Sequence, residues 1–457
     1  MEKKDEKREG FSSGLAVFFA TLGSAVGLGN IWRFPYLTGE NGGGAFILVY
    51  LICIVVVGLP VMIGEFYIGK KAKKNVMGAI RIIKPKSKFW KAIAWGGILS
   101  AYFIMFFYSS VGGWVYSYVY KAVTGKLVGV NATTAKTIFD TTSAASASPI
   151  LWQMLVIGVV SAILIAGVKK GIEKITKTLM PVLFVLIIIC DVRALTLPHA
   201  YAGINFLFSV NFDKITPTVI LVAMGLAFFK LSIGMGTMVT YSSYFTEETD
   251  LIGTSVKVAL SDTLVSILAG LAIFPAVFSF GIKPNGGPGL LFQTIPLVFA
   301  KLPGGSLLLT AFFILAAIAA TTAMISMVEV IIAFFSEELG FSRTKAVIIN
   351  AIIIMCIGAI TTISYDGGSA IGKMHILNKN FFDLFDGISS NYLLPLGGLL
   401  VAILIGYFVP KEDVRSILSN NGKLQNNLMI SIFLVLVRYI TPILIMLVFL
   451  SAIHIIG

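Results

Sequence analysis

The chain has 457 residues, of which 57% are hydrophobic and only 12% are charged. A soluble domain carries roughly 25% charged residues, so this composition excludes an ordinary soluble protein and indicates a polytopic membrane protein. The net charge of +13 does not indicate a nucleic-acid partner. Most lysines and arginines lie in or beside alternate connections between apolar runs, which is typical of cytoplasmic loops. We therefore expect contact with membrane lipid and no binding of nucleic acid.

Apolar runs of about 20 residues predict eleven transmembrane spans. A polar tail, residues 1–12, precedes them and lacks the apolar core of a signal peptide. Because the basic excess begins with this tail, we expect the N-terminus in the cytoplasm and, after an odd number of spans, the C-terminus outside (periplasmic). The predicted spans lie near residues 13–38, 44–69, 92–120, 150–168, 175–193, 215–245, 254–281, 305–335, 346–364, 384–409 and 428–455.

The first span is interrupted by small and polar residues. Gly23, Gly27 and Gly29 lie in mid-membrane with Ser24 and Asn30, and each glycine costs about 1 kcal/mol of helix propensity. Irregular backbone at this depth is tolerated only where it is buried in protein or lines a cavity. A helix broken here leaves N–H and C=O groups that can bind a small charged ligand, so the pattern indicates a transporter.

The sixth span repeats the interruption over residues 228–236. Two interrupted helices, one opening each five-span half, indicate an inverted repeat with a central binding site. We expect one all-α transporter domain with a first repeat over 13–193, a second over 215–409 and an extra helix over 428–455. Close helix packing is the alternative explanation for the glycines, but it accounts poorly for two breaks at corresponding positions.

Several motifs resemble those of the neurotransmitter:sodium symporter family. G-S-A-V-G-L-G-N-I-W-R-F-P-Y begins at Gly23, and E-N-G-G-G-A-F follows from Glu40. Further matches are G-L-P-V-M-I-G-E ending at Glu65, G-I-E-K-I-T-K-T-L-M-P ending at Pro181, T-Y-S-S-Y ending at Tyr244 and S-S-N-Y-L-L-P-L-G-G over 389–398. The resemblance covers nearly the whole chain, and the eleven-span form looks like the bacterial branch that transports tyrosine and hydrophobic amino acids. It implies a leucine-transporter-type fold with discontinuous first and sixth helices.

The resemblance also implies a substrate site. The backbone at Ala25, Leu28 and Gly29 would hold a carboxylate, assisted by the Tyr108 hydroxyl. Gly27 stands where the monoamine transporters of the family carry an aspartate, so an α-amino acid is expected. The remaining lining is largely apolar, which favours a large neutral side chain. It would consist of Ser24, Ile104, Phe229, Lys230, Ser232, Met235, Ala323 and Met327.

Two gates follow from the same resemblance. The outer gate would consist of Tyr108 and Phe229 beneath an ion pair between Arg33 and Asp386. An arginine this far into an apolar helix is costly unless it is paired or hydrated. The inner gate would be a latch between Arg8 and Glu337.

Two sodium sites normally couple transport in this family. The resemblance builds the second from the carbonyl groups of Gly23, Val26 and Ala319 and the hydroxyl of Thr322. Where the family has another hydroxyl residue, this chain has Ala323. Hard cations need oxygen ligands, so the loss weakens the site unless water or Thr321 replaces the missing oxygen. We expect Na+ at this second site.

The first sodium site departs further from the family. The resemblance builds it from Ala25, Asn30, the residue at 230, Asp262 and the substrate carboxylate. Lys230, which has three donors and no acceptor, replaces the usual serine or threonine. Our hypothesis is that its ammonium, paired with Asp262, takes the place of the sodium ion. The alternatives are a lysine that reaches into the water-filled vestibule and disables the site, or a misassigned register.

Coupling would then be to one sodium ion or to a proton, because burial favours the neutral lysine and Asp262 favours the charged one. Chloride is not expected, since Asp262 already supplies the negative charge that chloride provides in relatives. These features predict a symporter of a neutral, large hydrophobic or aromatic amino acid, acting as a monomer or weak dimer in the cell membrane. A non-transporting amino-acid sensor and a sodium-independent exchanger stay open as alternatives. Neither a channel filter nor a catalytic motif is evident, so a channel and an enzyme are not expected.

Overall fold

The computed structural model describes residues 9–281, 289–302 and 304–452, and its regular secondary structure there is helical apart from an isolated bridge between Ile376 and Lys379. The first span consists of Gly14–Ala25 and Gly29–Glu40, which meet at 55°. Among the described residues, nine further helices are long and apolar enough to cross a membrane. The second to fifth spans are Gly44–Ala72, Lys91–Val123, Ala147–Ile165 and Val168–Leu195. The seventh to eleventh are Leu251–Ser279, Gly305–Glu338, Arg343–Ser364, Phe381–Phe408 and Asn427–Ala452.

Where the sequence predicts the sixth span, the chain forms two short helices, Pro217–Lys230 and Thr237–Ser242. Crossing the hydrocarbon core takes about 20 residues, and the first of these helices has 14. Neither helix spans a bilayer alone, and the count of eleven stays a prediction. We use "sixth span" for this pair.

The connections contain helices that the sequence pattern did not predict. They are Val76–Ile83, Ala132–Ser143, Ala200–Phe208, Leu290–Ala300 and Lys411–Leu418. The connection between the fourth and fifth spans is shorter than expected and lies earlier in the chain. It consists of two residues, whereas the sequence predicts a loop over 169–174. Gly167 has a φ of +90°, a conformation open to glycine, and the Val168 N–H donates to the Glu9 carboxylate at 2.8 Å.

Contacts between loops define two ends of the bundle. At the end we call the N-terminal face, the Phe11 N–H donates to the Tyr244 carbonyl at 2.9 Å, and the Asn75 N–H donates to Glu337 at 2.9 Å. At the opposite face, the Phe139 and Phe292 rings stack 5.2 Å apart. The two helix breaks lie between these faces, against the buried third, seventh and eighth spans.

Candidate functional site

The first helix break exposes backbone N–H groups toward the third span. The Leu28 N–H donates to the Tyr108 hydroxyl at 2.8 Å, and the Gly27 N–H donates to Asn30 Oδ1 at 3.1 Å. A Cβ at Gly27 would lie 2.9 Å from the Tyr108 hydroxyl and 3.1 Å from the Ala323 Cβ. Only glycine therefore lets the break approach both neighbouring spans this closely.

The sixth-span break is held open by backbone that is unusual for a helix. Ser232, Gly234 and Gly236 all have positive φ, at 51°, 82° and 75°. The Ser232 hydroxyl donates to the Ser24 carbonyl at 2.8 Å, and the Gly234 N–H donates to Glu65 Oε1 at 2.6 Å. Ser232 thus joins the two breaks to each other, while Glu65 fixes the sixth to the second span.

A small cavity lies between the two breaks and is lined by residues of both. Every residue assigned to the substrate lining lies on its wall except Leu28, and Gly27 takes that place. Leu28 was assigned for its backbone: its N–H donates to Tyr108, which lines the cavity, while its side chain packs fully buried in the core. The Ser24 hydroxyl is buried without a hydrogen-bond partner among the described residues. This hydroxyl is therefore available to form a hydrogen bond with a ligand.

Lys230 lies at one side of this cavity with its side chain fully buried. Its Nζ is 3.0 Å from Asp262 Oδ2, 2.9 Å from the Tyr50 hydroxyl and within hydrogen-bond distance of the Ser266 hydroxyl. These three acceptors match the three N–H donors of an ammonium group. The Phe34 and Tyr50 ring centroids lie 4.8 and 4.7 Å from Nζ, which adds cation–π attraction. A lysine that reaches into the vestibule would have a solvent-exposed ammonium group, whereas the Lys230 side chain is fully buried.

Asn30 connects the first break to the same carboxylate. Its Nδ2 donates to Asp262 Oδ1 at 2.6 Å and to the Ser266 hydroxyl at 3.0 Å. The structure therefore brings Asn30, Lys230 and Asp262 together, with Ala25 on the cavity wall. Sequence reasoning missed Tyr50 and Ser266. Ser266 lies one helical turn after Asp262, a spacing that places both on one helix face and could have identified it.

The residues assigned to the second sodium site meet where the first, fifth and eighth spans touch. A Cβ at Gly23 would lie 3.4 Å from the Thr322 Cβ and 3.1 Å from the Thr176 methyl group. Because the first helix ends at Ala25, carbonyl groups of its last turn lack helical partners and are open to a cation. The Thr322 hydroxyl is the one side-chain oxygen of this assigned set, which also takes carbonyls of Val26 and Ala319. An all-oxygen set fits sodium.

Thr321 does not replace the missing hydroxyl at Ala323. Its Oγ1 lies 2.7 Å from the Tyr116 hydroxyl. Both residues line a groove on the membrane-facing side of the third and eighth spans. The Thr321 hydroxyl is therefore directed toward Tyr116 and away from the assigned set, because consecutive helical residues point about 100° apart.

The outer-gate residues lie together toward the opposite face. Arg33 Nη1 is 3.6 Å from Asp386 Oδ1, and the guanidinium lies 4.5 Å from the Phe229 ring centroid. The Ser390 hydroxyl donates to the same carboxylate oxygen at 2.8 Å. Phe229 and Tyr108 both line the cavity, so this group lies next to it on that side.

At the N-terminal face, Arg8 lies outside the described residues, so the predicted contact between Arg8 and Glu337 is not described by the structure. Glu337 accepts hydrogen bonds from the Asn75 backbone N–H at 2.9 Å and from its Nδ2 at 3.0 Å. Sequence reasoning missed a second carboxylate nearby, the fully buried Glu329. Arg343 binds Glu329 through both terminal nitrogens, at 3.0 and 2.6 Å, and the Tyr244 hydroxyl donates to it at 2.7 Å.

The chain is similar to known proteins along nearly its whole length. Residues 8–146 and 135–456 match the model of the sodium:neurotransmitter symporter family. An uncharacterised sodium-dependent transporter of Bacillus subtilis (strain 168) is 35% identical over 453 residues, and one of Haemophilus influenzae is 37% identical over 460. Each alignment covers 99% of both chains. The crystal structure of MhsT in complex with L-phenylalanine has a TM-score of 0.90 at 39% identity, covering 97% of this chain and 100% of that one.

Proposed function

The chain belongs to the sodium:neurotransmitter symporter family, and from this premise we propose that it transports a neutral amino acid with a large hydrophobic or aromatic side chain. The observation that carries the proposal is the cavity between the two helix breaks, which combines backbone N–H groups with an apolar wall. Met235 and Met327 on that wall can adapt to side chains of different shape. The L-phenylalanine complex of MhsT supports the same substrate class.

In this proposal the first break binds the substrate carboxylate. N–H groups at the start of Gly29–Glu40 carry partial positive charge, and the Tyr108 hydroxyl would donate a further hydrogen bond. Gly27 adds no side-chain charge beside them, so an amino acid is favoured over an amine. One chain supplies every group, so the transporting unit is a monomer, whether or not copies associate weakly.

The Lys230 ammonium would stand in place of the first sodium ion. Its three N–H groups are already bound to Asp262, Tyr50 and Ser266, so it would attract the substrate carboxylate by charge while remaining in place. An ammonium and a sodium ion carry the same charge, and Asp262 balances it without chloride. Coupling would then use one sodium ion, held by oxygens of Gly23, Val26, Ala319 and Thr322, or a proton exchanged at Lys230.

The N-terminal face would lie in the cytoplasm, as the distribution of lysine and arginine predicts. The Arg33–Asp386 group would close the cavity from outside, and the Glu329–Arg343–Tyr244 group would brace the cytoplasmic end. Alternating access would require these two groups to open at different times.

Uptake of labelled phenylalanine into proteoliposomes tests the proposal. Sodium and proton gradients are imposed separately on wild type and on Lys230→Thr, which restores a hydroxyl at the first site. We expect accumulation by wild type under at least one gradient, and a steeper sodium dependence in Lys230→Thr because a second sodium ion can bind. Unchanged sodium dependence in the variant would contradict the built-in cation. Binding without flux would instead indicate a sensor, and flux without accumulation an exchanger.

Tyr108→Phe is expected to weaken amino-acid binding about 10-fold or more, because it removes a hydrogen bond to a charged group. The half-saturating amino-acid concentration for binding to purified protein measures the effect. Tyr102→Phe is the matched control, because this tyrosine lies on the same span but bonds Asn350 outside the cavity. If the two variants bound the amino acid with equal affinity, Tyr108 would not be part of the substrate site.

A further inference from the structure

A groove opens on the membrane-facing surface between the fourth and fifth spans and is also lined by the third and eighth spans. Its walls are apolar residues such as Val159 and Ile163 on the fourth span and Ile175 and Leu179 on the fifth. The Tyr116 and Thr321 hydroxyls at its edge satisfy each other at 2.7 Å. The groove therefore offers apolar contacts to a bound molecule, and these two hydroxyls do not need water as a hydrogen-bond partner.

The length of the groove matches one leaflet of a bilayer. Along the fourth span it runs from Trp152 to Ile163, a rise of roughly 16 Å for a helix. The hydrocarbon core is about 30 Å thick, so this is about half of it. An extended acyl chain of one leaflet therefore fits the groove from end to end.

The two ends of the groove differ in charge. At the end near Ile163 and Ile175, the first residues of the fifth span include Lys169, Lys170 and Lys174, which are exposed and form no ion pair with the described residues. At the other end, the Tyr120 and Trp152 rings lie 5.8 Å apart, Lys126 lies over Tyr120, and the half-buried Lys121 is hydrogen-bonded to the Ser117 and Thr142 hydroxyls. Clusters of lysine at a membrane surface attract anionic lipid headgroups.

We propose that this groove is a binding site for an anionic phospholipid, with one acyl chain between the fourth and fifth spans and the phosphate at Lys169, Lys170 and Lys174. The bound acyl chain packs against the face of the fifth span that carries Ile175 and Leu179. Between them in sequence, Thr176 packs on the first-span break, where its methyl group would lie 3.1 Å from a Cβ at Gly23. Bound lipid thus stabilises the closed contact between these two spans.

Native mass spectrometry of the purified full-length protein tests this site. Phosphatidylglycerol or phosphatidylcholine with identical acyl chains is added at equal concentration, and retained lipid is counted. We expect wild type to retain at least about fivefold more phosphatidylglycerol. The triple variant Lys169→Gln, Lys170→Gln, Lys174→Gln is expected to lose this preference. The control triple variant Lys84→Gln, Lys86→Gln, Lys88→Gln, which changes a connection at the same face, is expected to keep it.

A second pair of variants tests the acyl-chain position. Val159→Trp fills the groove and is expected to reduce retention of phosphatidylglycerol several-fold. Leu155→Trp adds the same side chain at an exposed position of the same span outside the groove and is expected to have no effect. Equal retention of the two lipids by wild type, a preference that survives the lysine substitutions, or equal retention by the two tryptophan variants would each overturn the proposal. None of these measurements depends on amino-acid transport.

Discussion

Replacing Asp262 with asparagine is expected to destabilise the protein far more than replacing Tyr50 with phenylalanine, although both residues contact the same ammonium. Asparagine keeps the shape of the side chain but removes its charge, which leaves Lys230 uncompensated in a site fully excluded from solvent. Removing one partner of a buried ion pair typically costs about 3–5 kcal/mol. Losing the Tyr50 hydroxyl removes a neutral acceptor, at a cost of about 1–3 kcal/mol.

The midpoint of thermal unfolding of purified protein measures this difference. We expect Asp262→Asn to lower it by at least about 5 °C and Tyr50→Phe by clearly less. The double variant Lys230→Thr, Asp262→Asn removes both charges and is expected to recover most of the loss. A double variant no more stable than Asp262→Asn would show that the carboxylate acts mainly through Asn30 instead of through Lys230.

The membrane-spanning helices were predictable because the bilayer imposes strong rules on sequence. A long apolar run has to be helical, and glycines at Gly23–Gly29 and Gly234–Gly236 interrupt such a run only where protein surrounds the break. The loop helices were not predictable in this way. Ala132–Ser143, for example, has a weakly apolar face and depends on an Asn131 cap and on the stacking of Phe139 against Phe292, a residue distant in sequence.

The same contrast holds for the site. Motif register located the cavity wall well, because residues near the two breaks keep a fixed relation to the breaks themselves. It missed Tyr50 and Glu329, since each is defined by charged partners elsewhere in the fold and no local spacing signals a buried contact.

Replacing Arg343 with glutamine is expected to loosen the N-terminal face, whereas the same change at Arg81 has little effect. Both arginines lie 2.6 Å from a glutamate of the eighth span. The partner of Arg343 is the fully buried Glu329, which among the described residues would keep only the Tyr244 hydroxyl, while Arg81 is 53% exposed beside Glu338. Breaking a buried pair costs about 3–5 kcal/mol, and an exposed pair contributes about 0–1 kcal/mol.

Tyr244 transmits this loss to the segment that precedes the first span, because its carbonyl accepts the Phe11 N–H and its ring packs edge-on against Phe11 at 6.0 Å. Hydrogen–deuterium exchange of the peptide that contains Phe11 is the measurement. We expect exchange at least about 10-fold faster in Arg343→Gln, which needs only about 1.4 kcal/mol of the lost pairing to reach this contact. Arg81→Gln is expected to exchange like wild type. Equal exchange in both variants would mean that the Glu329–Arg343 pair stabilises only the contact between the eighth and ninth spans. The contact between Phe11 and Tyr244 would then open independently of that pair.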